Sequence, residues 1–222
     1  MDSIKPITLY GHARGPNPWK VAIIFEELDI QNEMRIIPLN ELKQPAYKRI
    51  CINGRTPAIE DPNTGITLWE SGAIIEYLVE TYDKGRKLGF EVGTPEYWHA
   101  KQWLYFQVSG QGPYFGQAVW FKMFHAEKVQ SALDRYVNEI HRVSGVLNRA
   151  LQGHDWLVGD KYSFADVSFL TWYEVVIARV IGDAFDISTE FPNLKAWLDR
   201  MTSRPAVASV LKAKAAKAAA SK

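Results

Sequence analysis

The stretch GRTPAIEDPNTGITLWESGAIIEYL, residues 54–78, holds two features that regular elements avoid. TPAIED and ITLWE alternate as strands, and DPNTG between them is a strong turn signal. A helix follows from residue 71 to 82, with Ile74, Ile75, Leu78 and Tyr82 at helical spacing. Yet Pro57 stands at the head of the first strand, where it cannot donate to a ladder. It is either a trans proline at a sheet edge or one preceded by a cis peptide. The cis form would turn the Thr56 backbone outward, free to pair with an extended peptide-like ligand. Glu70 and Ser71 interrupt the apolar run where the helix begins. Ser71 suits a helix cap, but a helix start also gathers N–H groups and partial positive charge, and so attracts a carboxylate. An acid beside it would hold an ammonium. Together the pair fits the two charged ends of an α-amino acid.

On the N-terminal side the chain alternates. PITLY (6–10) and EMRIIPL (33–39) read as strands, and NPWKVAIIFEELD (17–29) and QPAYKRICI (44–52) as helices. The order β-α-β-α-β-β-α lets the first three strands lie parallel or near-parallel, with the last two as a hairpin. In the loop GHARGPNPWK, Asn17 is placed as a helix cap or as an amide donor aimed at an anion on the helix N-terminus.

On the C-terminal side the pattern becomes all helix. The expected division is an α/β domain over 1–84, a linker over 85–94 and a helical domain over 95–222. Residues 95–124 form a helical stretch broken near SGQGPYFG by Gly110, Gly112 and Pro113. Residues 126–151 are amphipathic, and Ser163 with Asp166 makes a capping box for the next helix. The tail KAKAAKAAASK reads as a fraying helix or a disordered end.

Composition excludes several functions. A net charge of +1 argues against a nucleic-acid binder and a polybasic membrane clamp. No apolar run approaches the ~20 residues of a membrane span, and the N-terminus shows no secretory pattern. The single cysteine, Cys51, excludes an internal disulfide or a CxxC pair; a buried inert thiol and a cytoplasmic location are expected. The five histidines are dispersed without ligand spacing, so no metal site is expected.

Taken together, RTPAIED, LWESGAIIEYL and VGDKYSFADVSF resemble the cytosolic glutathione transferase superfamily along nearly the whole chain. GPNPWKVAI, FQVSGQGPYFGQAVWF and RYVNEIHRVSGVL are most similar to its fungal class related to the yeast nitrogen-catabolite regulator. That class is near the bacterial disulfide-reductase-like transferases that use asparagine or threonine. The long asparagine-rich N-terminal extension of the yeast regulator is lacking, so its regulatory role is not implied. The resemblance implies a thioredoxin-like N-terminal domain, an all-α C-terminal domain and glutathione as co-substrate. Thr56, ahead of cis Pro57, would pair with the cysteinyl unit. Glu70 and Ser71 would hold the γ-glutamyl ammonium and carboxylate, and Asn17 would face the sulfur. Lys43 and Arg55 are candidates for the glycyl carboxylate. The catalytic tyrosine of many animal classes has no clear counterpart, since Tyr10 lies inside the first strand. Tyr114 and Trp120 would line the site of an apolar electrophile, and the usual assembly is a homodimer.

The chemistry is consistent with this assignment. A free thiol titrates near ~8.5, so only ~3% is thiolate at pH 7. Lowering its pKa by ~2 units needs ~2.7 kcal/mol of preferential stabilisation. A helix terminus contributes up to ~2 kcal/mol and a hydrogen bond to a charged group ~1.5–3 kcal/mol, so a helix and one amide suffice. The same thiolate would serve transfer to an electrophile, reduction of disulfides or peroxides, or cis-trans isomerisation in secondary metabolism; the alternative of a different class is a non-catalytic glutathione-binding regulator.

Overall fold

The computed structural model describes residues 4–182 and 184–220. It divides into two compact units, one running to Gly89 and resuming at Ser203, the other covering Phe90–Thr202.

In the first unit, β1 (Ile7–Gly11), β2 (Asn32–Ile36), β3 (Ala58–Asp61) and β4 (Ile66–Trp69) form one sheet in the order β2-β1-β3-β4. Helices α1 (Pro16–Glu27), α2 (Pro45–Lys48) and α3 (Ser71–Tyr82) connect and follow them. β1 and β2 are parallel, but β3 runs antiparallel to β1, with Tyr10 opposite Ala58. The expectation that the first three strands run parallel is therefore corrected. The connection from β2 to β3 does not cross back along the sheet: its one helix, α2, is a single turn of four residues, and the chain returns to the end that it left.

This reversal places the functional elements. β1 ends, β3 begins and β4 ends at one end of the sheet, since Ala58 also pairs with Trp69. The N-termini of α1 and α3 open at that same end. Ile7 and Leu9 of β1, Val21, Ile24 and Phe25 of α1, and Ile74, Ile75 and Leu78 of α3 are all fully buried. Polar anchors close the unit. Asp61 accepts hydrogen bonds from Tyr77 (2.6 Å), Tyr82 and the Asn63 N–H (2.8 Å), tying the β3–β4 turn to α3. Burial raises its pKa, but these donors outweigh burial and hold it below the usual carboxylate value.

The lysine-alanine tail belongs to this unit. α10 (Pro205–Ala220) packs on α1, and Lys214 within it is buried. Arg204 grips the buried Glu27 of α1 through two hydrogen bonds of 2.7 and 2.9 Å. The chain thus departs from the expected division over 95–222, and from the expected frayed end, because a bidentate ion pair and an apolar face dock the last helix on the first unit.

The second unit contains α4 (Pro95–Phe106), α5 (Gly112–Met123), α6 (Gln130–Ala150), α7 (Phe164–Val176), α8 (Ile187–Glu190) and α9 (Pro192–Thr202). The expected break at Gly110, Gly112 and Pro113 does not occur. A π-helical segment, Gln107–Gln111, joins α4 to α5, and the Gly112 N–H reaches the Gln107 carbonyl five residues back. The wider turn carries the helix into Pro113, which has no N–H to place. Gly116 lies against Trp172, where a Cβ would stand 3.2 Å from the ring. The capping box forms as read: Asp166 accepts from the Ser163 N–H (2.9 Å) and hydroxyl (3.0 Å), and also from the Leu157 N–H (3.0 Å) and Trp197 Nε1 (2.9 Å). Among the described residues no helix is long and apolar enough to cross a membrane.

Candidate functional site

A cleft of about 340 Å3 opens at this end of the sheet in the first unit. Of the residues singled out from the sequence, Asn17, Arg55, Thr56, Pro57, Glu70 and Ser71 all line it. Three loops separated by up to 54 positions thus meet at one point. The Thr56–Pro57 peptide is cis.

Both helix starts differ from the expected caps. α1 is capped by Gly15 in extended conformation, with Asn17 inside the first turn. Pro16 opens the helix, where its missing N–H costs nothing. Pro18 removes a second N–H, so the donors at this end come from Asn17. At α3 the cap is Glu70 and Ser71 is the first helical residue. Glu70 adopts φ 75° and ψ 115°, a region costly for a non-glycine residue, at ~1–3 kcal/mol. Such strain persists where surrounding structure enforces it. Here it sets an acid at the mouth of a helix start, while the Ser71 side chain is buried beside it.

Lys43 is not among the lining residues. Its Nζ donates to the Asn53 carbonyl at 2.8 Å and braces the loop before Arg55. That loop turns at Gly54, whose φ is +59° and where a Cβ would meet the Leu42 carbonyl oxygen at 2.5 Å. Arg55 is exposed, and its carbonyl accepts from the Tyr47 hydroxyl at 2.9 Å. Tyr114 and Trp120 lie on α5 in the second unit, each against another ring: Tyr114 by Tyr136, and the half-exposed Trp120 by Phe124. Tyr10 donates to Glu60 at 2.5 Å and packs with Tyr47, Cys51 and Ala58.

Three lining residues were not foreseen: Cys51, Asn53 and Trp69. Cys51 is buried, as expected of it, but in the wall of the cleft. No local pattern marks these positions. They reach the site because the stretch after α2 doubles back to feed β3. No cluster of three or more potential metal ligands exists among the described residues.

The cleft therefore offers the backbone at Thr56, an acid at Glu70, two helix N-termini and two amide residues, Asn17 and Asn53. It is suited to an extended small peptide with a free amino-acid end. The family model of the glutathione S-transferase N-terminal domain matches residues 5–80 and that of its C-terminal domain residues 113–205. The chain belongs to the glutathione S-transferase family. Within it, the relatives place it in the fungal Ure2-like group. The glutathione S-transferase-like protein gedE of Aspergillus terreus is 50% identical, over 96% of this chain and 97% of that one. The glutathione transferase URE2P6 of Phanerochaete chrysosporium, crystallised with oxidised glutathione, superposes with a TM-score of 0.92 at 46% identity, over 96% and 98% of the two chains. Ure2p5 of the same fungus, cocrystallised with 1-(S-glutathionyl)-2,4-dinitrobenzene, gives 0.90 at 37% identity over 98% of both.

Proposed function

We propose that the protein is a glutathione transferase that presents the glutathione thiolate to an apolar electrophile. The observation carrying this reading is the convergence of Asn17, Thr56, Glu70 and Ser71 on one cleft at two helix N-termini. Thr56 pairs with the cysteinyl backbone as an added strand would. Glu70 takes the γ-glutamyl ammonium. The α3 N-terminus and Ser71 take its carboxylate. Arg55 is left for the glycyl carboxylate, while Lys43 supports the loop that carries Arg55. The sulfur then lies at the start of α1, where Asn17 donates to it and the helix dipole favours its anion. With a chloronitrobenzene the thiolate attacks the ring carbon, a C–S bond forms and chloride leaves. Tyr114 and Trp120 are proposed to face the electrophile.

The relative bound to oxidised glutathione favours a second reading, glutathione-dependent disulfide reduction. A second glutathione would then supply the other thiol. We further propose a homodimer acting in the cytoplasm. Trp98 and Tyr105, both more than half exposed on α4, offer apolar surface for that contact. The test is calorimetry with reduced glutathione on wild type, Glu70→Ala and Ser71→Ala, followed by turnover of a chlorodinitrobenzene and of hydroxyethyl disulfide. Binding unaffected by Glu70→Ala would overturn the assignment of the amino-acid end. Turnover of the disulfide alone would replace transfer by reduction.

A further inference from the structure

Lys20 is a charged residue that this mechanism does not use, and its side chain is only 1% exposed. It lies on α1 three positions after Asn17. Residues so spaced share a helix face, and helical side chains lean toward the N-terminus. The lysine stem therefore runs back toward the end of α1 that lines the cleft. α1 packs against α3, whose first residues line the same cleft. Desolvation lowers the Lys20 pKa to about 7, and the charge of Glu70 opposes that fall.

Other charged groups surround α1 on its neighbours. α3 also carries Glu76 and Glu80, and α10 carries Lys212, Lys214 and Lys217. Arg204 is committed to Glu27. On β1, Tyr10 is committed to Glu60. The Glu70 carboxylate joins Lys20 electrostatically to a wall of the cleft.

Burying an ammonium is costly, and an apolar side chain of similar volume is often neutral or stabilising in its place. We propose that Lys20 is a positioning residue for the amino-acid end of the ligand: its buried charge holds Glu70 at the cleft wall and supplies the positive half of a charge pair that matches the ammonium and carboxylate of the γ-glutamyl group. This rests on the glutathione reading above and names what organises that subsite.

The probe is S-methylglutathione, which has no thiol proton to confuse the titration. Its affinity is measured by calorimetry at pH 6 and pH 8 on wild type, Lys20→Met, Lys20→Arg and Glu70→Ala, alongside urea denaturation. Lys20→Met should bind about tenfold more weakly at pH 6, the loss expected for one charged contact. Its resistance to urea should be equal to wild type or higher, which a merely structural lysine would not give. Wild type should weaken between pH 6 and pH 8 more than Lys20→Arg, because arginine stays charged across that range while the ligand is the same in both. Should Lys20→Met fail to fold, the comparison of wild type with Lys20→Arg decides: equal pH slopes overturn the proposal. Wild-type affinity in a folded Lys20→Met also overturns it. If Glu70→Ala loses binding while Lys20→Met keeps it, only the role of Lys20 falls. If Glu70→Ala binds normally, the reading of the subsite itself falls.

Discussion

Asn17→Ala tests whether neutral dipoles activate the thiol. The prolines at positions 16 and 18 strip two N–H donors from the start of α1, so the Asn17 amide is the side-chain donor in the first turn of the helix that lines the cleft. Alanine keeps the helix, since position 17 lies within its first turn and the cap is Gly15. The loss is one hydrogen bond to an anion, ~1.5–3 kcal/mol, or ~1–2 pKa units on the bound thiol. The helix dipole remains and supplies the rest. Ultraviolet thiolate absorbance of the glutathione complex, titrated with pH, reads this directly. kcat/KM at pH 6.5 should fall about tenfold, with the gap closing above pH ~9, where both forms are thiolate. Asn17→Asp retains the size of the side chain but offers no N–H, and its negative charge should raise the pKa further. An unmoved pKa in both variants would refute the role of the amide and return the burden to the main chain of α1.

Asp166→Ala removes the acceptor of four hydrogen bonds in the second unit. It should cost ~3–5 kcal/mol in urea denaturation, and a loss below ~1 kcal/mol would show that water or neighbouring groups replace the carboxylate. The pKa of Asp61 is held down in the folded state, so its contribution is present above the unfolded value of ~3.9 and fades as pH falls through the lower folded value. Asp61→Asn should therefore lose stability near neutrality and show a shallower acid limb; an identical pH profile would exclude the network as its source. Gly116→Val drives a branched side chain into the Trp172 ring and should lower stability by ~1–3 kcal/mol, as followed by tryptophan fluorescence during unfolding. An unchanged midpoint would mean that α5 and α7 separate freely.

Much of the architecture was legible locally. The alternation and turn of residues 54–78 mark the hairpin and the helix after it. The Ser163–Asp166 box marks the start of α7 because both partners sit within one turn. The helix starts at Asn17 and Ser71 were placed to within a residue or two, but their caps were not. Gly15 and Glu70 cap through backbone conformation, and at Glu70 that conformation is one its residue type disfavours. The glycines near residue 112 suggested a broken helix, since the i−5 hydrogen bond that repairs it depends on backbone geometry rather than residue type.

The sequence by itself determined the order of elements, the change from alternating to helical pattern, and the chemical types available: an amide, an acid, a hydroxyl and one proline-led strand. These depend on neighbours a few positions away, so periodicity and turn chemistry reveal them. Tertiary structure decided that β3 runs against β1, that residues 17, 56 and 70 share one cleft, that α10 docks on α1 and that Lys20 is buried. Those outcomes turn on contacts between distant segments and on which surfaces exclude water, and both are properties of the packed chain.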